Sequence, residues 1–398
     1  MPSAYTMFGL LEKIDSPYIT VHRDRCVAVR NRNATCARCA TACVSGCLSI
    51  KDGAFAVAPE KCIGCGTCAT VCPTCALETR HPEDKELYRQ CMDALREHDG
   101  HVVIACDKML AAAEGRFDPA KVVGVTCLGR VEESLIAMLA ANGAQRVTLV
   151  QAQCPTCDYA ASIDTARAVC ASANTLLEAW GSSTRADVVE KLPASLRLDQ
   201  PLGYDARRRE TLAHLRDEAA RIAGIAAVAA VAGEAVAPGE DELLTQQRYT
   251  KVNEQGVLPQ FVPGRRKRLV KALESHGAPQ ASSVVTRLWG QVTVDADRCT
   301  SCRMCATFCP TGALRTCDNN GVWGLEHRPG LCVKCGCCVD VCPKDALSLA
   351  DEVPAESLVA DTWTRFNLKP PAAVPNQPHS IKNALQELLG STNINDRC

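Results

Sequence analysis

The sequence predicts a multidomain α+β protein in which two small cysteine-rich modules flank a small parallel-sheet α/β domain and a helical segment. Three observations predict it. Cysteine is present 27 times in 398 residues, most densely over 26–75 and 299–342. Those two stretches repeat one another. Between them, residues 82–181 alternate helix-like and strand-like patterns and carry more widely spaced cysteines. The expected divisions are 1–81, 82–180, a mostly helical connection over 181–285, a second cysteine-rich module over 286–352, and a Pro-rich tail over 353–398.

Composition narrows the function classes. Hydrophobic residues at 47% and charged residues at 22% are ordinary for a soluble chain with several cores. A net charge of −1 supplies no field for nucleic acid or an anionic membrane, and aromatics at 4% are too few for base-stacking platforms. Residues 1–13 hold an apolar patch without a basic n-region or cleavage site, so no leader is expected. The longest small-apolar run, 222–233, is mostly alanine and falls short of the roughly 20 residues a bilayer span needs. Disulfide frameworks belong to short secreted chains, so these thiols are expected in the cytoplasm, binding metal. No G-x-G-x-x-G follows a strand and no G-x4-G-K-[ST] occurs, which leaves nucleotides and flavins without a motif.

The repeats carry the chemistry. Cys62-Ile-Gly-Cys65-Gly-Thr-Cys68-Ala-Thr-Val-Cys72-Pro73 matches Cys299-Thr-Ser-Cys302-Arg-Met-Cys305-Ala-Thr-Phe-Cys309-Pro310. A third copy runs from Cys332 through Cys335 and Cys338 to Cys342-Pro343. This C-x2-C-x2-C-x3-C-P run is a 4Fe–4S signature: three thiolates wrap one cluster, and the proline turns the fourth toward its neighbour. A zinc ribbon needs two separated C-x2-C pairs and leaves the third cysteine of each triplet unexplained.

The C-terminal module resembles the two-cluster bacterial ferredoxins. That resemblance implies one 4Fe–4S cluster on Cys299, Cys302, Cys305 and Cys342, and another on Cys332, Cys335, Cys338 and Cys309. Cys337 and Cys317 are surplus and read as packing residues. The N-terminal module departs from the pattern, because its first half reads Cys26-x9-Cys36-x2-Cys39-x3-Cys43. Its clusters are assigned to Cys26, Cys36, Cys39 and Cys72, and to Cys62, Cys65, Cys68 and Cys43. A competing register would use Cys36, Cys39, Cys43 and Cys47. Aligning Cys43-Val-Ser-Gly-Cys47-Leu with Cys309-Pro-Thr-Gly-Ala313-Leu puts Cys47 where alanine stands, and Cys75 where Gly312 stands. Four 4Fe–4S clusters are expected in all.

In the middle, helices are expected over 83–98, 131–142 (ending at Gly143) and 159–180, with strands over 102–105, 122–126 and 147–151. Cys106, Cys127 and Cys154 each follow a strand, with Cys157 three residues on. A parallel sheet brings the carboxyl ends of its strands together, so these four thiols would converge on one further cluster. Cys91 and Cys170 fall on apolar helix faces and read as core. Residues 126–132, Thr-Cys-Leu-Gly-Arg-Val-Glu, with Asn142-Gly143-Ala144 and Gln153-Cys154-Pro-Thr-Cys157-Asp158-Tyr159, resemble the delta subunit of methyl-viologen-reducing hydrogenase. The family usually has a C-x2-C pair where this chain has only Cys106, and a longer gap at Cys154. The resemblance implies a 2Fe–2S cluster and electron passage between a hydrogenase or formate dehydrogenase and heterodisulfide reductase-type partners. A chain with five clusters and no substrate site is also expected to serve a catalytic partner such as a flavin-bearing reductase.

The expected function is therefore electron relay within an oxidoreductase complex, without catalysis of its own. A catalytic central cluster, for instance in disulfide reduction, and a purely structural role for the clusters are the rival classes. Asp107, Asp158 and Arg130 read as supports of the central site rather than catalysts. The basic run 265–268 reads as a solvated helix face, with docking to an acidic partner as the alternative. An amphipathic helix over 380–390 packs on the chain or on a partner.

Overall fold

A computed structural model describes residues 16–51, 53–152, 154, 157, 160–200, 258–319 and 322–370. The expected features at 1–13, 222–233 and 380–390 lie outside the described residues. The chain begins with β1 (Ile19–Val21), α1 (Val27–Arg30), α2 (Arg38–Thr41), β2 (Leu48–Lys51), β3 (Ala54–Val57), α3 (Thr67–Val71) and β4 (Leu77–Thr79). Here β1 pairs antiparallel with β4, and β2 with β3. Each ladder is three or four residues long, so the thiol-bearing loops between the strands make up most of this region's interior.

Next come α4 (Asp84–Glu97), β5 (His101–Cys106), α5 (Asp107–Ala112), β6 (Val122–Val125), α6 (Glu133–Ala141), β7 (Arg146–Val150), α7 (Ser162–Ala179) and β8 (Arg185–Val189). The four strands form a parallel sheet in the order β6-β5-β7-β8. Valine and isoleucine runs such as Val102–Ile104 are buried on both faces, as a helix-covered parallel sheet requires. Helix α6 starts where the Glu132 carboxylate accepts from the Ser134 and Leu135 amides, and it ends before Gly143, which adopts φ +92°. Cys91 and Cys170 sit in this core, packed as expected. Strand β8 was not expected; its Arg185-Ala-Asp-Val-Val is short and half polar.

The described remainder is α8 (Gly264–Glu274), β9 (Ser283–Val285), β10 (Gln291–Val294), α9 (Met304–Thr307), β11 (Leu314–Asn319), β12 (Val322–His327), α10 (Cys337–Asp340), β13 (Leu347–Ala350), β14 (Glu352–Pro354) and β15 (Thr364–Asn367). The pairs β10·β13 and β9·β14 and the β11-β12-β15 sheet are all antiparallel. The fold thus mixes helix and sheet, with one four-stranded parallel sheet and several small antiparallel ones.

The solvated-face reading of residues 265–268 is corrected here. Helix α8 lies against α6, sharing a core of Ala137, Leu269, Leu273, Trp180 and Trp289. Arg265 and Arg266 are buried with it. Arg265 grips Asp84 through Nε (2.8 Å) and Nη2 (2.7 Å), and its Nη1 donates to the Ala69 carbonyl. Arg266 lies 3.7 Å over the Trp289 ring. Paired and stacked guanidiniums keep charges in an interface that isolated ones would destabilise.

Candidate iron–sulfur sites

Three loops introduce their first cysteine in the same way. Cys26, Cys62 and Cys332 each follow a 3-10 turn with near-identical backbone angles, φ −74, −73 and −68°. Each amide closes that turn onto the carbonyl three residues back, on Arg23, Pro59 and Pro329. Cys26 therefore shares the entry geometry of Cys62 and Cys332. The ladder agrees: the Ala58 amide bonds the Cys47 carbonyl as the Arg328 amide bonds that of Ala313, so Cys47 takes an alanine's place. Cys75 likewise shares with Gly312 a left-handed backbone, at φ +48 and +72°.

Around Cys65, Cys302 and Cys335 the flanking residues are left-handed whatever their identity: Gly64 and Gly66, Ser301 and Arg303, Lys334 and Gly336. Side chains with a Cβ adopt that conformation at a cost of about 1–2 kcal/mol each, so a shared purpose holds the loop in shape. Cys26–Cys39 lacks this pair. Instead seven extra residues build α1 and the turn after it.

The thiols gather in sets. Burial raises the Cys39, Cys68, Cys305 and Cys338 thiols, and neighbouring thiols add to it. Cys39 meets Cys72, Cys26 and Cys36; Cys68 meets Cys65, Cys62, Cys39 and Cys43. Cys305 meets Cys302, Cys299 and Cys342; Cys338 meets Cys332, Cys309, Cys305 and Cys337. Voids of about 20 Å³ lie among Cys299, Cys302, Cys305 and Cys342, among Cys26, Cys36, Cys39 and Cys72, and among Cys309, Cys332, Cys335 and Cys338. Each exceeds the roughly 10–15 Å³ one water needs. Among the described residues no three His, Cys, Asp or Glu side chains close around a single-ion position. Buried thiols that disfavour one another's charge fit a polynuclear cationic centre, which offsets that repulsion and spans the void.

Hydrogen bonds reach the sulfurs. The Ala76 amide donates to Cys72 Sγ (3.2 Å), Ala346 to Cys342 Sγ (3.3 Å) and Lys334 to Cys332 Sγ (3.4 Å). Cys47 hydrogen-bonds both Cys43 and Cys62, holding them down at about 5 and about 6. Cys337 is buried with its Sγ facing the Phe308 carbonyl, a packing role.

In the parallel sheet, Cys106, Cys127, Cys154 and Cys157 line one cavity of about 190 Å³ at the strand ends, with Asp107, Lys108 and Ile163. Burial raises Cys127 to about 11, and Cys65 and Cys106 push it the same way. Arg130 turns away to Asp84 (2.8 Å) and the Pro82 carbonyl, and so anchors the neighbouring region.

Neighbouring sets lie near one another in a continuous series. The Cys65–Thr67 loop meets the Cys127–Arg130 turn so closely that a Cβ on Gly129 would lie 2.2 Å from Thr67 Oγ1. Cys39 lies near enough to Cys68 to raise its thiol. The insertion then joins both halves of the chain: Arg38 Nη2 donates to the Lys334 carbonyl (2.7 Å), the Thr35 amide to Asp340 (2.7 Å), and buried Arg30 to the Pro259 carbonyl (2.7 Å). Cys36 acts on the Cys337 thiol there, and Cys305 on that of Cys338.

A family model for the 4Fe-4S binding domain matches residues 55–78, 292–315 and 325–348. These matches indicate iron–sulfur electron transfer. They coincide with the three loops that carry the left-handed pair. Comparison with curated proteins and with solved structures found no match. His327 went unremarked in the sequence, yet it lines the Cys309–Cys332 void; burial holds its ring down at about 4 and so neutral. Counting five residues back from the first cysteine of each repeat would have singled it out.

Proposed function

We propose that this chain is a cytoplasmic electron-transfer subunit that relays electrons through five iron–sulfur sites in one row. Four 4Fe–4S clusters would be held by the sets headed by Cys26, Cys62, Cys299 and Cys332, and a further cluster, 2Fe–2S by family resemblance, by Cys106, Cys127, Cys154 and Cys157. Its partners would be a hydrogenase, formate dehydrogenase or flavin-bearing reductase on one side and a heterodisulfide reductase-like protein on the other. The observation that carries this reading is the succession of thiols near enough to act on one another, from the 190 Å³ cavity through the Cys65 loop and, by way of the surplus Cys337 beside the α1 insertion, to Cys305. When bound, such clusters take up and release single electrons. The chain's own residues hold them at fixed separation, exclude water, and aim amides at the ligand sulfurs. No catalytic step is needed.

The size of the central cavity favours one second reading, in which a substrate such as a disulfide is reduced beside Cys154 and Cys157. A substrate-dependent spectral change at that site would select it.

The test is iron and acid-labile sulfide content of anaerobically purified protein, with EPR during stepwise reduction. The expected content is about 18 iron per chain with reducible signals. About 16 iron without a 2Fe–2S signal would remove the central cluster, and signals that resist reduction would overturn the relay.

A further inference from the structure

The four short ladders that precede the cysteine loops share one register. Opposite a leucine, five residues before the first cysteine, stand Val21 (with Leu77), Val57 (with Leu48), Val294 (with Leu347) and His327 (with Leu314). Three repeats place a valine here, and the fourth places an imidazole. In two of the repeats the position faces the ligand void: Val21 lines the one beside Cys26, and His327 the one among Cys309, Cys332, Cys335 and Cys338. His327 is fully buried, and neither ring nitrogen has a hydrogen-bond partner among the described residues. A buried imidazole without partners is destabilising, whereas the valine of the other repeats would fill the site without that cost. The void it lines lies beside that unpartnered ring.

We propose that His327 donates its ring N–H to a sulfur of the cluster held by Cys309, Cys332, Cys335 and Cys338, raising that site's reduction potential above those of the three valine sites. This rests on the iron–sulfur reading of that void. An imidazole ring carries at least one N–H in either protonation state, and reduction adds negative charge to the sulfurs, so the bond strengthens in the reduced state. The site lies next to the α1 insertion, where the two halves meet, and would be the member of the row that holds an electron most firmly. His327 is a positioning and tuning residue, not a catalytic one.

The experiment uses the full-length, cluster-loaded protein. His327→Val installs the residue of the other repeats, and His327→Gln restores an amide N–H. At a poise fixed at the wild-type midpoint, the valine variant should keep its iron but show about a tenfold lower ratio of reduced to oxidised cluster for one 4Fe–4S signal. That ratio corresponds to about 59 mV for one electron. The glutamine variant should recover much of the loss. Independently, wild-type protein labelled with 15N-histidine should show nitrogen coupling to a reduced cluster by pulsed EPR. Unchanged midpoints in a fully loaded valine variant would overturn the proposal, as would absence of that coupling in the wild type, which decides even where a variant fails to fold. A wild type with no reducible 4Fe–4S signal would instead defeat the reading of the void itself, and the proposal with it.

Discussion

Replacing Asp84 by asparagine tests what joins the first cysteine-rich region, the parallel sheet and α8. Asp84 Oδ1 accepts from Arg130 (2.8 Å) and Arg265 (2.7 Å), and Oδ2 from Arg265 (2.8 Å) and Arg268 (2.6 Å). Burial pushes its carboxyl up, but Arg265, Arg130 and Arg268 outweigh that and hold it well below the usual carboxylate range. Arg130 and Arg265 are themselves buried. The neutral amide would leave these guanidiniums facing one another with Glu132 as the counter-charge left for Arg130 and Arg265. Removing one partner of a buried pair costs about 3–5 kcal/mol; with the Asp84 side chain 25% exposed, the lower end applies. At about 2 °C per kcal/mol for a large domain, Asp84→Asn should lower Tm by about 6 °C, read by circular dichroism on loaded protein at one scan rate. Adding Arg265→Met should recover part of that loss, because the two sites are coupled. A drop under about 2 °C, or additive losses in the double variant, would refute the reasoning. The pH dependence has a definite sign. A carboxyl depressed in the fold contributes its stability above the unfolded pKa of about 3.9 and loses it as pH falls toward the lower folded value.

Two further outcomes are expected. Gly129→Ala would drive a Cβ to 2.2 Å from Thr67 Oγ1 and 3.2 Å from Ser162 Cβ, both on buried residues. It should cost about 1–3 kcal/mol and weaken magnetic coupling between the central signal and its neighbour; an unchanged Tm and unchanged coupling would show that the loops are not in contact. Cys26→Ser should lose about 4 iron per chain while Cys47→Ala keeps its iron. The reverse result would establish the register built on Cys36, Cys39, Cys43 and Cys47.

Much of the site was legible because thiol ligands are local. Spacing alone marks Cys62–Cys72, Cys299–Cys309 and Cys332–Cys342, and strand ends in a parallel sheet bring Cys106, Cys127 and Cys154 together whatever lies between them. What escaped depends on distant partners. A run of three arginines and a lysine reads as solvated until Asp84, 181 residues before Arg265, is placed beside it. Strand β8 escaped because its five residues include Arg185 and Asp187, and its place at the sheet edge comes from pairing with β7. The insertion after Cys26 reads in sequence only as seven extra residues; the packing of Val27 into the core of the second module, and the bonds of Arg30, Thr35 and Arg38 to the second half of the chain, give it a purpose.

That packing also bears on the order of assembly. Val27 completes a core otherwise built mainly from residues beyond 257, and Thr35 bonds Asp340 across 305 positions of sequence. Contacts so remote close late, after each half has formed its local turns. During synthesis the N-terminal half emerges first, with Cys36 uncovered and α1 waiting for its partner. On the relay reading, the thiols near this seam are thus most reachable to an iron donor before the halves meet, and docking of α1 would shut the door behind the loaded sites.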